Sequence, residues 1–256
     1  MSRRRTVAII GHQLRLLARD PFPIMVLVVS PLVLMAFLKP TFALALVAHG
    51  HVGANGAEQV VPGQAVVNGF YIVGMTSFAF FAEYGWYTWD RLRASNATSA
   101  EIIVGKAVPL LGVSAAQFLV IFAIAVPLFH LHSGGPLAAL VPLVAAFATC
   151  LVMLGVMITA LCRTIQQVNA VSMGGLILFG ALGGALVPLE VLPSWARAVS
   201  PATPTYWVMR GFRSVILDGH GLPAMVLPCC VLIGMSVAFA AVSLSRFRLA
   251  DAKVSF

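Results

Sequence analysis

Apolar residues in this chain fall into long unbroken runs separated by short polar stretches. Six runs approach or exceed the roughly 20 residues that a helix needs to cross a bilayer. They are Phe22 to Leu38, Ala65 to Ala82, Val108 to Phe129, Leu137 to Leu161, Val168 to Leu189 and Leu222 to Leu244. Pro31, Pro127, Pro142 and Pro228 lie inside these runs and mark kinks or ends. Residues 3–20 have a different period. Val7, Ile10, Leu14 and Leu17 form one stripe, with Arg4, His12, Arg15 and Arg19 opposite, the pattern of a helix lying in the membrane interface. Ser2-Arg3-Arg4-Arg5 imitates a twin-arginine export signal, but the next sustained apolar run begins only after Asp20-Pro21, too late for a cleaved leader. The prediction is an all-α polytopic membrane protein, one transmembrane domain over residues 1–256.

Composition strengthens this reading. Of 256 residues, 60% are hydrophobic and 9% charged, and mean hydropathy is +0.98. A soluble domain of this size carries roughly a quarter charged residues. The net charge of +8 is scattered between apolar runs, which argues for membrane topology and against a nucleic-acid partner. Arg3, Arg4, Arg5, Arg15, Arg19, Arg91, Arg93, Lys106, Arg163, Arg246, Arg248 and Lys253 fall on one side of a six-span chain. Lys39, Arg197, Arg210 and Arg213 fall on the other. Twelve against four places both termini in the cytoplasm of a bacterial cell membrane.

Two connections carry candidate function. Glu83 to Lys106 alternates charge with apolar residues: Trp86, Tyr87, Trp89 and Leu92 face lipid or protein while Asp90, Arg91 and Arg93 face water. A helix then starts near Ser99 and Glu101 and runs into the third span. On the other side, residues 188–220 repeat their apolar positions at helical spacing around Ser200-Pro201 and Pro204. They predict two short helices dipping into the outer leaflet, with Trp195, Tyr206 and Trp207 at the interface and Arg210 and Arg213 towards headgroups or an amphiphilic cargo. Gly180 and Gly184 form a G-x-x-x-G pair suited to close helix packing, within one chain or between subunits.

Catalytic chemistry finds no foothold. The predicted runs hold almost no ionisable groups beyond Glu83 and Glu190 at their boundaries, which disfavours an ion-coupled carrier. No H-E-x-x-H, G-x-S-x-G or P-loop occurs: Gly105-Lys106 is followed by Ala107, and Ala100 stands where the loop's first glycine belongs. The histidines His49, His51, His130, His132 and His220 gather near one end of the spans without a metal-ligand spacing. Neither a catalytic residue, a metal site nor a cofactor site is expected in this chain.

Three stretches resemble the ABC-2 type export permeases, especially the daunorubicin-resistance-like drug and lipid exporters. Arg19-Asp20-Pro21 with Pro31 is similar to that family's opening. Glu83, Thr88, Trp89, Arg91-Leu92-Arg93-Ala94, Glu101 and Gly105-Lys106 resemble its cytoplasmic signature. Gly85, Tyr87 and Asn96 depart from it. Gly183-Gly184, Pro188, Pro193, Trp195, Ser200-Pro201, Pro204, Tyr206-Trp207 and Gly211 resemble the stretch before its last span. The resemblance implies a permease subunit that pairs with a second permease, the same or homologous, and with two cytoplasmic ATPase subunits that bind ATP and Mg. Trp89 to Glu101 would be the coupling helix, with Glu83, Asp90, Arg91, Arg93 and Lys106 around it. The expected function is ATP-driven export of a hydrophobic or amphiphilic drug or lipid-like molecule. The alternatives are export of a lipid-linked glycan and, from another class, a self-sufficient carrier or channel.

Overall fold

The computed structural model describes residues 3–19, 22–48, 53, 55–85 and 98–246, and among them every regular element is helical. In chain order these are α1 (Arg3–Arg19), α2 (Phe22–Ala48), α3 (Ala57–Gly69), α4 (Tyr71–Gly85), α5 (Ser99–Phe129), α6 (Leu140–Leu161), α7 (Ile165–Leu182), α8 (Ser194–Val199), α9 (Pro204–Ile216) and α10 (Val226–Arg246). Single 3₁₀ turns precede α6, α8, α9 and α10. Among the described residues, six stretches are long and apolar enough to cross a membrane: Met25–Ala48, Ala57–Glu83, Glu101–Phe129, Leu137–Leu161, Ile165–Leu182 and Leu222–Arg246.

The order and number of spans follow the hydrophobic pattern, but several boundaries move, the third span beginning at Glu101 instead of Val108. The first helix continues through Lys39 and Pro40 to Ala48. The fifth ends at Leu182, because the glycines that follow turn the chain. The second starts at Ala57, eight residues before the apolar run. The prelude carries Glu58, Gln59 and Gln64, all buried. α3 can bury such residues because α2, α5 and α9 surround it. It continues into α4 across a single turn at Phe70.

α6 is the central post and packs against α4, α5 and α10. Phe147 on it meets Phe70 edge-on at 6.4 Å between ring centroids and Phe118 at 6.0 Å, so the second, third and fourth spans share one aromatic core. α1 lies against α5. Its covered side differs from the predicted stripe: Gln13 is buried and Ile9, one turn earlier, meets α5, while Val7 and Leu14 stay exposed. α8 and α9 are the two short helices expected between the last spans, separated by the 3₁₀ turn at Ser200–Ala202.

Candidate functional site

At the α1 end of the bundle, the start of α5 is set by a reciprocal cap. Thr98 Oγ1 accepts from the Glu101 backbone N–H at 3.3 Å, and the Glu101 carboxylate accepts from the Thr98 N–H at 3.0 Å. Two turns on, Lys106 Nζ donates to Glu83 Oε1 at 2.8 Å and to the Ala79 carbonyl at 2.5 Å, and stands 5.5 Å from the Phe80 ring centroid. The pair is enclosed, with side-chain exposures of 2% and 7%, so it ties α4 to α5 rather than meeting water. Around it Phe80, Ile102, Ile103 and Val156 form a small buried cluster, with Ile9 of α1 packed on its edge.

Gly105 lets α1 come this close. A β-carbon at position 105 would lie 2.6 Å from Ile9 Cγ2 and 2.8 Å from Ile9 Cβ. Four helices, α1, α4, α5 and α6, therefore meet where the connection 86–97 leaves and returns. Glu83, Glu101 and Lys106, three of the residues singled out in the sequence, hold the edges of that connection. The other four, Trp89, Asp90, Arg91 and Arg93, lie outside the described residues.

The opposite end is organised by the turn after α7. The Ala185 and Leu186 N–H groups both donate to the Gly180 carbonyl, at 3.0 and 2.9 Å, and Gly184 adopts φ +84. This is a Schellman cap, in which the left-handed position favours glycine. Both glycines have a place within this chain: Gly180 lies against Leu186, and Gly184 ends the helix. Gly184→Ala is expected to cost about 1–2 kcal/mol, read as a lower thermal midpoint in detergent; an unchanged midpoint would reject this role for Gly184. Gln59 Nε2 donates to the Gly184 carbonyl at 2.9 Å, and Thr205 Oγ1 donates to the Phe179 carbonyl, so α3 and α9 both grip the turn.

α9 turns Thr205, Val208, Met209, Phe212 and Val215 inward. The two arginines predicted here separate in role. Arg213 is ion-paired with Glu190, while Arg210 is exposed and stands 5.6 Å from the Trp207 ring. Trp207 Nε1 donates to the Pro201 carbonyl at 2.8 Å, and Tyr206 meets Trp207 edge-on. Trp195 is exposed on α8.

Ionisable groups inside the spans were underestimated by hydropathy. Besides Lys106 and Glu101 in the third span, Glu58 is 3% exposed in the second. Its Oε2 accepts from the Asn55 N–H at 3.1 Å, and its Oε1 lies 4.0 Å from His132 Nδ1. Asn55 also donates to the His130 carbonyl at 2.8 Å, and Lys39 Nζ donates to the Phe129 carbonyl at 2.8 Å, so α2 and α3 are fastened to the end of α5. The spacing Asn55-x-x-Glu58 before an apolar helix is the sequence signal that marks this start.

Comparison with known proteins places this architecture. Residues 4–217 match the profile of the family described as ABC-2 type transporter. The chain is 28% identical over 155 residues to the linearmycin resistance permease protein LnrN of Bacillus subtilis, covering 60% of this chain and 39% of that one. It is 31% identical over 140 residues to the Escherichia coli K12 protein named "Probable multidrug ABC transporter permease YbhR", covering 53% and 36%. It is 25% identical over 177 residues to ABC transporter G family member 20 of Dictyostelium discoideum, covering 68% and 24%. In each case the matched stretch spans well under half the relative's length. With the profile running from within α1 to the end of α9, the chain belongs to the ABC-2 type transporter family.

Proposed function

We propose that the chain is the membrane permease of an ATP-driven exporter, moving a hydrophobic or amphiphilic drug or lipid-like molecule out of the cell. One observation carries the reading furthest. The connection bearing the family-like residues Trp89, Arg91 and Arg93 is held at both edges by rigid devices, the Glu83–Lys106 pair and the Thr98–Glu101 cap. A force applied to that connection reaches α4 and α5 together, and through the shared cluster α1 and α6. The α1 end would be cytoplasmic, as the lysine and arginine distribution favours. Trp89, Asp90, Arg91 and Arg93 would touch the ATPase, while Glu83, Glu101 and Lys106 position them. ATP and Mg belong to that partner, taken as two copies. The names of LnrN and YbhR support the resistance-type cargo.

A second permease subunit completes the scheme. α7 buries little of its surface, with Val168 and Gly180 its fully enclosed residues, while Val171, Ile177 and Leu178 are exposed. Against a second subunit that face would wall the cargo path, and its apolar lining suits a cargo with few hydrogen-bonding groups. The test is a gentle pull-down of the tagged chain from its native membranes. A P-loop ATPase is expected in equal amount, lost with Arg91→Glu while the permease stays in the membrane. Recovery of the chain alone, from membranes whose other complexes remain intact, would overturn the reading. A self-sufficient carrier has one observation in its favour, the buried carboxylate of Glu58 within a span. Proton- or sodium-driven uptake into ATP-free vesicles would establish it.

A further inference from the structure

A groove of about 610 Å³ runs between α5 and α6 on the outside of the bundle. Small residues open it: Ala115 and Ala123 on one wall and Ala145 on the other, all exposed. Every lining residue is apolar. We propose that this groove holds one acyl chain of a bilayer phospholipid.

Three features select that occupant. The first is depth. The groove extends from Ala115, the midpoint of the span Glu101–Phe129, to Pro127 near its end. Twelve residues of helix rise about 18 Å, comparable with the ~15 Å half-thickness of a bilayer's hydrocarbon core. The groove is therefore about one leaflet deep. The second is width. Dividing about 610 Å³ by about 18 Å leaves a section of about 34 Å². That is room for a hydrocarbon chain along the whole length. The third is polarity. Among the described residues the groove offers no hydrogen-bonding side chain, and its Pro127 end is one turn from the exposed His130, where a headgroup leaves the hydrocarbon.

The seated chain has a structural consequence. Phe122, which lines the groove, stacks on Phe212 of α9 with centroids 5.4 Å apart and planes 19° from parallel. An empty groove leaves Phe122 without dispersion partners on that side, so the lipid backs the contact that seats α9.

The experiment uses the full chain reconstituted in vesicles that contain a phosphatidylglycerol with a photoreactive diazirine on its acyl chain. After irradiation and digestion, label is expected on peptides covering 115–127 and 137–145, above the level on exposed Val171 and Ile177 of α7. It should fall several-fold in both Ala123→Trp and Ala145→Trp, which fill the groove from opposite walls at exposed positions. Label on the groove no greater than on α7, or unchanged in either tryptophan variant, would overturn the proposal. Disulfide-linked dimers through Ala123→Cys would overturn it too, by placing a second copy in the groove.

Discussion

Replacing Lys106 by methionine is expected to destabilise the protein by about 3–5 kcal/mol, the cost of breaking a buried ion pair by removing one member. The Glu83 carboxylate has its ammonium partner 2.8 Å away, enclosed between α4 and α5. Removing the lysine takes the ammonium away from that carboxylate in an enclosure walled by Phe80, Ile102 and Val156. Glu83→Gln strands the lysine instead. The double variant Lys106→Met with Glu83→Gln should recover most of the loss, because both charges of the pair are removed together. Thermal midpoints of the four proteins in detergent read the cycle. Additive losses would mean that the two side chains do not act as a pair.

Gly105→Leu carries the second largest effect. A β-carbon there collides with the β-carbon of Ile9, not with the far end of a flexible side chain, so α1 itself must shift. Overpacking of this kind costs about 1–3 kcal/mol. The functional loss should exceed what that figure suggests, since α1 closes the cluster from which the proposed coupling connection departs. Transport activity and protease resistance of α1 should fall together, and Ile9→Ala should relieve the milder Gly105→Ala variant only in part, because the β-carbon of residue 9 remains. If Gly105→Leu left α1 as protected as before, the α1–α5 seat would be wrong.

Both effects depend on information the sequence holds unequally. The beginning of α5 was legible, because Glu101 belongs to a cap whose parts lie three residues apart. So were α8 and α9, where prolines punctuate an amphipathic period. Glu83 and Lys106 could be singled out, but their pairing across 23 positions is made by the crossing of α4 and α5. The polar half of the second span was missed for a related reason. Hydropathy scores Glu58, Gln59 and Gln64 by their own side chains, while their burial is decided by the helices around them. α1 shows the same limit: its spacing names an apolar stripe, yet Gln13 is on the covered side. Gly180 and Gly184 look like a packing stripe by spacing, and only the φ of Gly184 reveals a helix end.

The devices that clamp the connection between α4 and α5 draw on residues outside it. Glu83 and Lys106 fasten one edge, Thr98 and Glu101 the other, and none belongs to 86–97. On the proposed function, recognition and the scaffold would then be written in separate parts of the chain. Exchanging residues 86–97 as a cassette between related permeases would redirect which motor subunit the protein accepts, while the clamps that receive the stroke stay as they are. Partner choice would be free to diverge among paralogues faster than the membrane domain itself.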